Sequence, residues 1–200
     1  MINLLVAAIA YLLGAIPFGY LLVKWTTGAD VRTGGSGNIG ATNVLRTTGR
    51  MAGIATLLLD IGKGYLAVWI AGRLSHEDVL SMSVAALAVM AGHAYPVFLK
   101  FKGGKAVASF VGAFLCLAPL ALGAVLVVFV VVVAWTRHVS MGSIVGAVTL
   151  PLAVWLIQKN PVMVLASVIA GVLIIYKHSS NIQRLHAGTE DVFSLGGRKS

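Results

Sequence analysis

Charge is what this sequence has least of: 10% of its 200 residues are Asp, Glu, Lys or Arg, against 58% hydrophobic ones. A water-soluble domain carries about 25% charged residues. A fold with so few could not cover its surface in water, so lipid must be the solvent for much of it. Acidic residues are the scarcer sign, 6 against 15 Lys and Arg, which leaves a net charge of +9. Nucleic-acid binding would call for basic clusters on a polar domain. Here the basic residues stand between long apolar runs, so no nucleic acid is expected as partner. The single cysteine, Cys116, lies inside an apolar run. A disulfide framework is thereby excluded, and no Cys/His cluster suggests a metal. At the N-terminus no basic stretch precedes the apolar run, which exceeds the ~7–15 residues of a signal-peptide core. It reads as a retained first span.

A helix crosses the hydrocarbon core in about 20 residues. Runs of that kind lie near 2–24, 51–72, 79–99, 105–119, 120–136, 140–157 and 161–177. Residues 1–200 are therefore expected to form one integral membrane domain, an all-α polytopic fold with seven transmembrane helices. Pro119 and Gly123 divide the fourth run from the fifth, because proline disrupts a continuing helix. With seven spans, Lys24, Arg32, Arg46, Arg50, Lys100, Lys102, Lys105, Arg137, Lys177, Arg184, Arg198 and Lys199 fall on one face. Only Arg73 and Lys159 fall on the other, and Lys63 lies within a span beside Asp60, its expected partner. The positive-inside rule then puts the N-terminus outside and the C-terminus in the cytoplasm. The chain is expected in a membrane that borders the cytoplasm, with its function in the cytoplasmic loops.

Four polar groups occupy that face. The first, Val31 to Arg50, reads VRTGGSGNIGATNVLRTTGR. Gly35-x-Gly37-x-x-Gly40 matches the dinucleotide fingerprint only formally, since no strand precedes it in a βαβ unit. Its glycines still allow backbone N–H groups to converge on an anion, with Ser36, Asn38 and Asn43 as further contacts. Arg46 adds a planar fork suited to phosphate. A plain flexible turn is the alternative, although so many glycines and asparagines exceed what a connector needs. The second group, Gly92 to Lys105, ends in Gly103-Gly104-Lys105 but is no Walker A motif. Leu99 stands where glycine is needed and Ala106 where Ser or Thr is. These glycines are expected to open the fourth span from the cytoplasmic side, where free N–H groups and the helix dipole favour an anion. Lys100 and Lys102 read as topology-setting charge. In the third group, Ser140 reads as the N-cap of the sixth span, with Ser143 close behind. In the fourth, His178, Asn181 and Arg184 would share one face of a continuing helix.

Three stretches carry a resemblance: SGNIGATNVLRTTG from Ser36, GHAYPVFLKFKGGKAVA from Gly92, and NIQRLHAGTE from Asn181. In order and spacing they resemble the small integral-membrane glycerol-3-phosphate acyltransferases that use acyl-phosphate, the PlsY family. The resemblance covers essentially the whole chain; the tail after Glu190 departs from it. It implies that acyl-phosphate and sn-glycerol 3-phosphate give 1-acyl-glycerol 3-phosphate and inorganic phosphate, with no cofactor. The implied partners are those two substrates, membrane lipid and the soluble enzyme that makes acyl-phosphate.

On this resemblance Ser36, Arg46, Lys105, Ser143, His178 and Asn181 contact phosphate. Asn38, Gly40, Asn43, Gly103 and Gly104 shape the loops, and Glu190 orients a basic partner such as Arg184. Ser36, Lys105 and His178 are the catalytic candidates, with loop N–H groups and Lys105 stabilising the oxyanion. The proton acceptor stays open between His178 and the substrate's own phosphate. His186 and Asp191 match the His-four-residues-Asp pattern of unrelated glycerolipid acyltransferases, a match expected to be accidental. The rival reading is a phosphate- or ion-coupled transporter. That class more often has inverted repeats and helices broken near the midplane, and no second copy of these motifs occurs.

Overall fold

The computed structural model describes residues 1–193, and every regular element among them is helical. Arg198 and Lys199, counted above for topology, lie outside the described residues. The elements are α1 (Ile2–Ala15), α2 (Phe18–Thr27), α3 (Ala41–Thr48), α4 (Arg50–Ser75), α5 (Val79–Ala94), α6 (Val107–Leu117), α7 (Pro119–Thr136), α8 (Val139–Ile157), α9 (Pro161–Lys177) and α10 (Ser179–His186). Short 3-10 turns at Val31–Thr33 and Val97–Leu99 lie in the two longest connections.

Five segments are long and apolar enough to cross a bilayer: Ile2–Thr27, which joins α1 and α2, then α4, Val79–Leu99, α7 and α8. A sixth is added if α9 and α10, bent by 58°, count as one. The fourth expected run, 105–119, is helical only over the 11 residues of α6. That is about 16 Å at ~1.5 Å per residue, against a hydrocarbon core of ~30 Å. The helix starts late because Ala106 is left-handed, with φ 60°. Pro119 opens α7 directly after α6 ends.

Lipid-facing chains gain nothing from hiding apolar surface in more apolar surface, so helices here associate by close packing of small residues. Gly14 of α1 and Gly92 of α5 each press on the other helix's backbone, where a Cβ would overlap the Val89 and Tyr11 carbonyls. Gly64 of α4 and Gly112 of α6 do the same against Ser109 and Ile61. Phe114, Met90, Leu122, Leu150 and Ile174 fill the space between helices, while Leu12, Val130, Leu152 and Val172 remain exposed. One buried ion pair interrupts this packing: Lys63 Nζ lies 2.7 Å from Asp60 Oδ1, with both side chains 2% exposed.

The bundle has two chemically distinct ends. Asn3 Oδ1 accepts from Ser81 Oγ at 2.5 Å, and Glu77 lies in electrostatic reach of Cys116, so the starts of α1 and α5 and the end of α6 share one end. The connections holding Arg46, Lys105, His178 and Glu190 meet at the other.

Candidate active site

Asn43 is the organiser of the α2–α3 connection. Its buried side chain accepts from Ser36 N–H at 2.9 Å and donates to the carbonyls of Val31, Gly34 and Asn38 at 3.2, 3.2 and 2.8 Å. Gly35, at φ 56°, passes so close that a Cβ would overlap Asn43 Oδ1. Asn38 Oδ1 accepts from Gly40 N–H at 2.8 Å, closing the turn into α3. The sequence suggested that this loop's N–H groups converge on an anion, but those of Ser36 and Gly40 are already taken by asparagine side chains. What the loop presents is the exposed Ser36 and the Arg46 guanidinium of α3. Arg46 Nη1 lies 2.7 Å from Asp191 Oδ2.

Lys105 arrives along a non-helical stretch rather than at a helix start. The chain leaves α5 through the Val97–Leu99 turn and passes left-handed Lys100 and Phe101. It then runs without helix through Gly103 and Gly104. Burial pushes the Lys105 ammonium down to about 8; Glu190 opposes this, while Arg184, Arg46 and Lys177 reinforce it. These five charged groups, from distant parts of the chain, therefore share one electrostatic neighbourhood.

The far side is built by α8, α9 and the tail. The helix α9 stops at Lys177, and the chain turns 58° into α10. The expected continuing helix is thus broken at His178, whose Nδ1 bonds the Ile174 carbonyl at 2.8 Å. A nitrogen facing a carbonyl must carry the ring proton, which leaves Nε2 as an acceptor. His178 is buried and in electrostatic reach of Lys105 and Glu190. Gly188, at φ 67°, then turns the tail back over the site. Glu190 accepts from Asn181 Nδ2 at 2.6 Å and from Arg184 Nε at 2.7 Å. Burial raises the Glu190 carboxyl, but the Ser140 hydroxyl, Asn181 and Arg184 outweigh it and hold the group below its ordinary value. Phe193 N–H closes the strap on the Arg137 carbonyl at 2.8 Å.

Two buried polar atoms here, Ser140 Oγ and Asn181 Oδ1, make no hydrogen bond of full geometry among the described residues. Buried polar atoms are rarely left so without a functional reason.

The profile of the glycerol-3-phosphate acyltransferase family matches residues 4–188. The chain belongs to that family. Curated glycerol-3-phosphate acyltransferases from Desulforamulus reducens and Trichlorobacter lovleyi are 48% and 50% identical over 191 and 184 residues, which is 96% and 92% of this chain and 94% of each relative. Among solved structures, the fold is similar to PlsY, an integral membrane glycerol 3-phosphate acyltransferase, in its glycerol 3-phosphate form. That structure is 36% identical, with a TM-score of 0.91 and 96% of both chains covered. Its lysophosphatidic acid form gives 0.88 at 35% identity, again over 96% of both chains. The transporter reading has no support from these relatives.

The acyltransferase fold gathers Arg46, Lys105, His178, Asn181, Arg184 and Glu190 at one end of the bundle. Asn38, Gly40 and Asn43 are internal to the first loop. Ser143 Oγ donates back to the Val139 carbonyl of its own helix at 2.9 Å. Ser140 is not the N-cap of α8, a position held by His138, whose N–H is taken by Thr136 Oγ1 at 3.2 Å. Reading Ser140 as a cap concealed that its hydroxyl faces Glu190. The pairing of Asp191 with Arg46 was not foreseen: the ordinary signs of contact, helical or strand spacing, do not exist between the tail and α3.

Proposed function

We propose that this acyltransferase moves a fatty acyl group from acyl-phosphate to sn-glycerol 3-phosphate, giving 1-acyl-glycerol 3-phosphate and inorganic phosphate. The single observation that carries the reading is the meeting of Arg46 and Arg184 at Lys105, which is itself in reach of the buried His178, within a family fold that relatives use for glycerol 3-phosphate. Two phosphate-bearing substrates repel each other, and cations from separate elements offset that repulsion and align the reacting atoms. Arg46, Lys105 and Ser36 take the glycerol 3-phosphate phosphate, which displaces the Asp191 carboxylate from Arg46. Ser143, His178 and Asn181 complete the phosphate contacts, the Asn181 Oδ1 being a buried acceptor with no hydrogen bond of its own among the described residues. Glu190 holds Arg184 in place, and Gly103 and Gly104 bring the backbone close.

In the reaction the glycerol oxygen attacks the acyl carbonyl carbon, and His178 Nε2 takes the hydroxyl proton. The bond between the acyl carbon and the bridging oxygen then breaks, and that oxygen leaves with the electron pair as part of inorganic phosphate, which takes up the proton from His178. Lys105 stabilises the developing oxyanion. The donor comes from the soluble enzyme that makes it, and its acyl chain enters an apolar groove between spans from the bilayer side. No cofactor takes part in this scheme. Supplying the purified protein with glycerol 3-phosphate and either donor tests it: turnover is expected with acyl-phosphate, and efficient turnover with acyl-coenzyme A alone would refute the donor assignment.

The same reading places the site in the cytoplasm, with seven crossings of the plasma membrane over the single domain 1–200. The short α6 counts as a crossing because its non-helical lead-in starts beside Lys105 and its far end reaches the Glu77 neighbourhood. A reporter after Ser200 is expected to be cytoplasmic, and one inserted at His76 external. Both on one side would remove the seven-span topology.

Asp191 and His186 are expected to be dispensable. His186 is exposed, and Asp191 is engaged by Arg46 rather than by an imidazole. Activity within about threefold of the parent is expected for His186→Ala and Asp191→Asn, as for surface changes outside the machinery. Loss of turnover in folded His186→Ala protein would make the tail the catalytic element.

A further inference from the structure

A second cluster of ionisable groups lies inside the bundle and takes no part in the chemistry described above. Asp60, Lys63 and His93 are 1%, 4% and 4% exposed. Ionisable groups within a membrane fold are rare and costly enough to call for a role. Stability alone does not supply one, because well-packed apolar residues often replace a buried pair without loss.

The contacts run in one direction, toward Lys105. Lys63 Nζ donates to the Ile16 carbonyl at 2.8 Å, where the first span is broken, and lies 2.7 Å from Asp60 Oδ1. The same carboxylate oxygen is 3.6 Å from His93 Nδ1, and Ser109 Oγ of α6 is 3.3 Å from that nitrogen. One edge of the imidazole is thereby fixed by α4 and α6. Its other edge is a shelf. Gly104 lies against it so closely that a Cβ would overlap Nε2, and Gly104 N–H donates to the His93 carbonyl at 3.1 Å. A Cβ on Gly103 would overlap that same carbonyl. Lys105 is the next residue.

The end of α5 does not depend on this shelf. Lys177 Nζ donates to the Ala94 carbonyl at 3.2 Å, and Tyr11 Oη to the Tyr95 carbonyl at 2.8 Å. Removing the imidazole therefore leaves the α5 terminus tied and takes from the Gly103–Gly104 loop its side-chain support, leaving it only the backbone bond to the His93 carbonyl.

We propose that His93, oriented by Asp60 and Ser109, is the positioning residue for Lys105, fixing the Gly103–Gly104 stretch so that the ammonium meets the substrate phosphate. This rests on the reading of Lys105 as a phosphate ligand. It explains why a charged pair is kept in the bundle beside the site, and why two successive glycines precede the lysine.

A double-mutant cycle separates positioning from general support, because residues acting through one another are not additive. The readout is kcat/KM for glycerol 3-phosphate in His93→Ala, Lys105→Ala and the double variant, each purified as folded protein. His93→Ala is expected to cost about tenfold or more while Lys105 is present, as a displaced ligand does. In the Lys105→Ala background the same change is expected to cost less than about twofold. Equal losses in both backgrounds, or no loss beside an intact Lys105, would overturn the proposal. If His93→Ala does not fold, Asp60→Asn enters the same cycle with the same expectations. Full activity in Lys105→Ala would instead remove the phosphate-ligand reading beneath it, an outcome distinct from additivity.

Discussion

Replacing Lys105 with alanine is expected to lower kcat/KM for glycerol 3-phosphate by about a hundredfold or more, with Arg46→Ala close behind. A hundredfold corresponds to about 2.7 kcal/mol of lost transition-state stabilisation. The size follows from placement. Lys105 is partly withdrawn from water, where a cation facing a phosphate is screened less than at the surface. Lys100 is exposed and left-handed at the rim, and Lys100→Ala is expected to change little. Equal, mild effects at all three would show that these charges set topology only. The burial that holds Lys105 at about 8 also gives a pH signature. Below that value the lysine is charged and binds phosphate; above it the charge is lost. kcat/KM reports the free enzyme and is therefore expected to fall as pH rises through about 8. A bound phosphate dianion raises the ammonium's pKa, so kcat is expected to hold to higher pH. An alkaline limb that persists in Lys105→Arg at the same pH would assign it to another group.

His178→Ala is expected to remove most turnover while leaving the helical fold in place. The imidazole is aimed by its own backbone: Nδ1 is committed to the Ile174 carbonyl, so Nε2 is the free acceptor. General bases contribute about 10²–10⁴-fold, and a loss in that range, carried in kcat more than in KM, is the expected split. His178→Gln offers no comparable base and is expected to be nearly as poor. If His178→Ala kept most of its kcat, the substrate's own phosphate would be the proton acceptor. In that case His178 would only shape the bend between α9 and α10.

The lipid-embedded helical class and the concentration of polar motifs at one end were legible because composition and run length depend on local sequence alone. Pro119 marked the α6–α7 break for the same reason. Helix ends and long-range contacts were not legible. The turn at His178 depends on a side chain bonding back to Ile174, and an i, i+3, i+6 spacing cannot tell a straight helix from a bent one. The late start of α6 follows from Gly103 and Gly104 lying on His93, a contact between segments joined by a loop. Asn43 is the most instructive residue. Its type suggested an anion contact, yet its amide satisfies four backbone groups of its own loop. The proposed anion site accordingly rests more on Arg46 and Lys105 than on loop N–H groups.

A structure determined with glycerol 3-phosphate bound tests the central claim most directly. The account predicts the phosphate at hydrogen-bond distance, about 2.7–3.0 Å, from Arg46 and Lys105, with Asp191 withdrawn from Arg46 and a glycerol hydroxyl facing His178 Nε2. A phosphate bound elsewhere, with the Arg46–Asp191 pair intact and Lys105 making no contact to it, would contradict it.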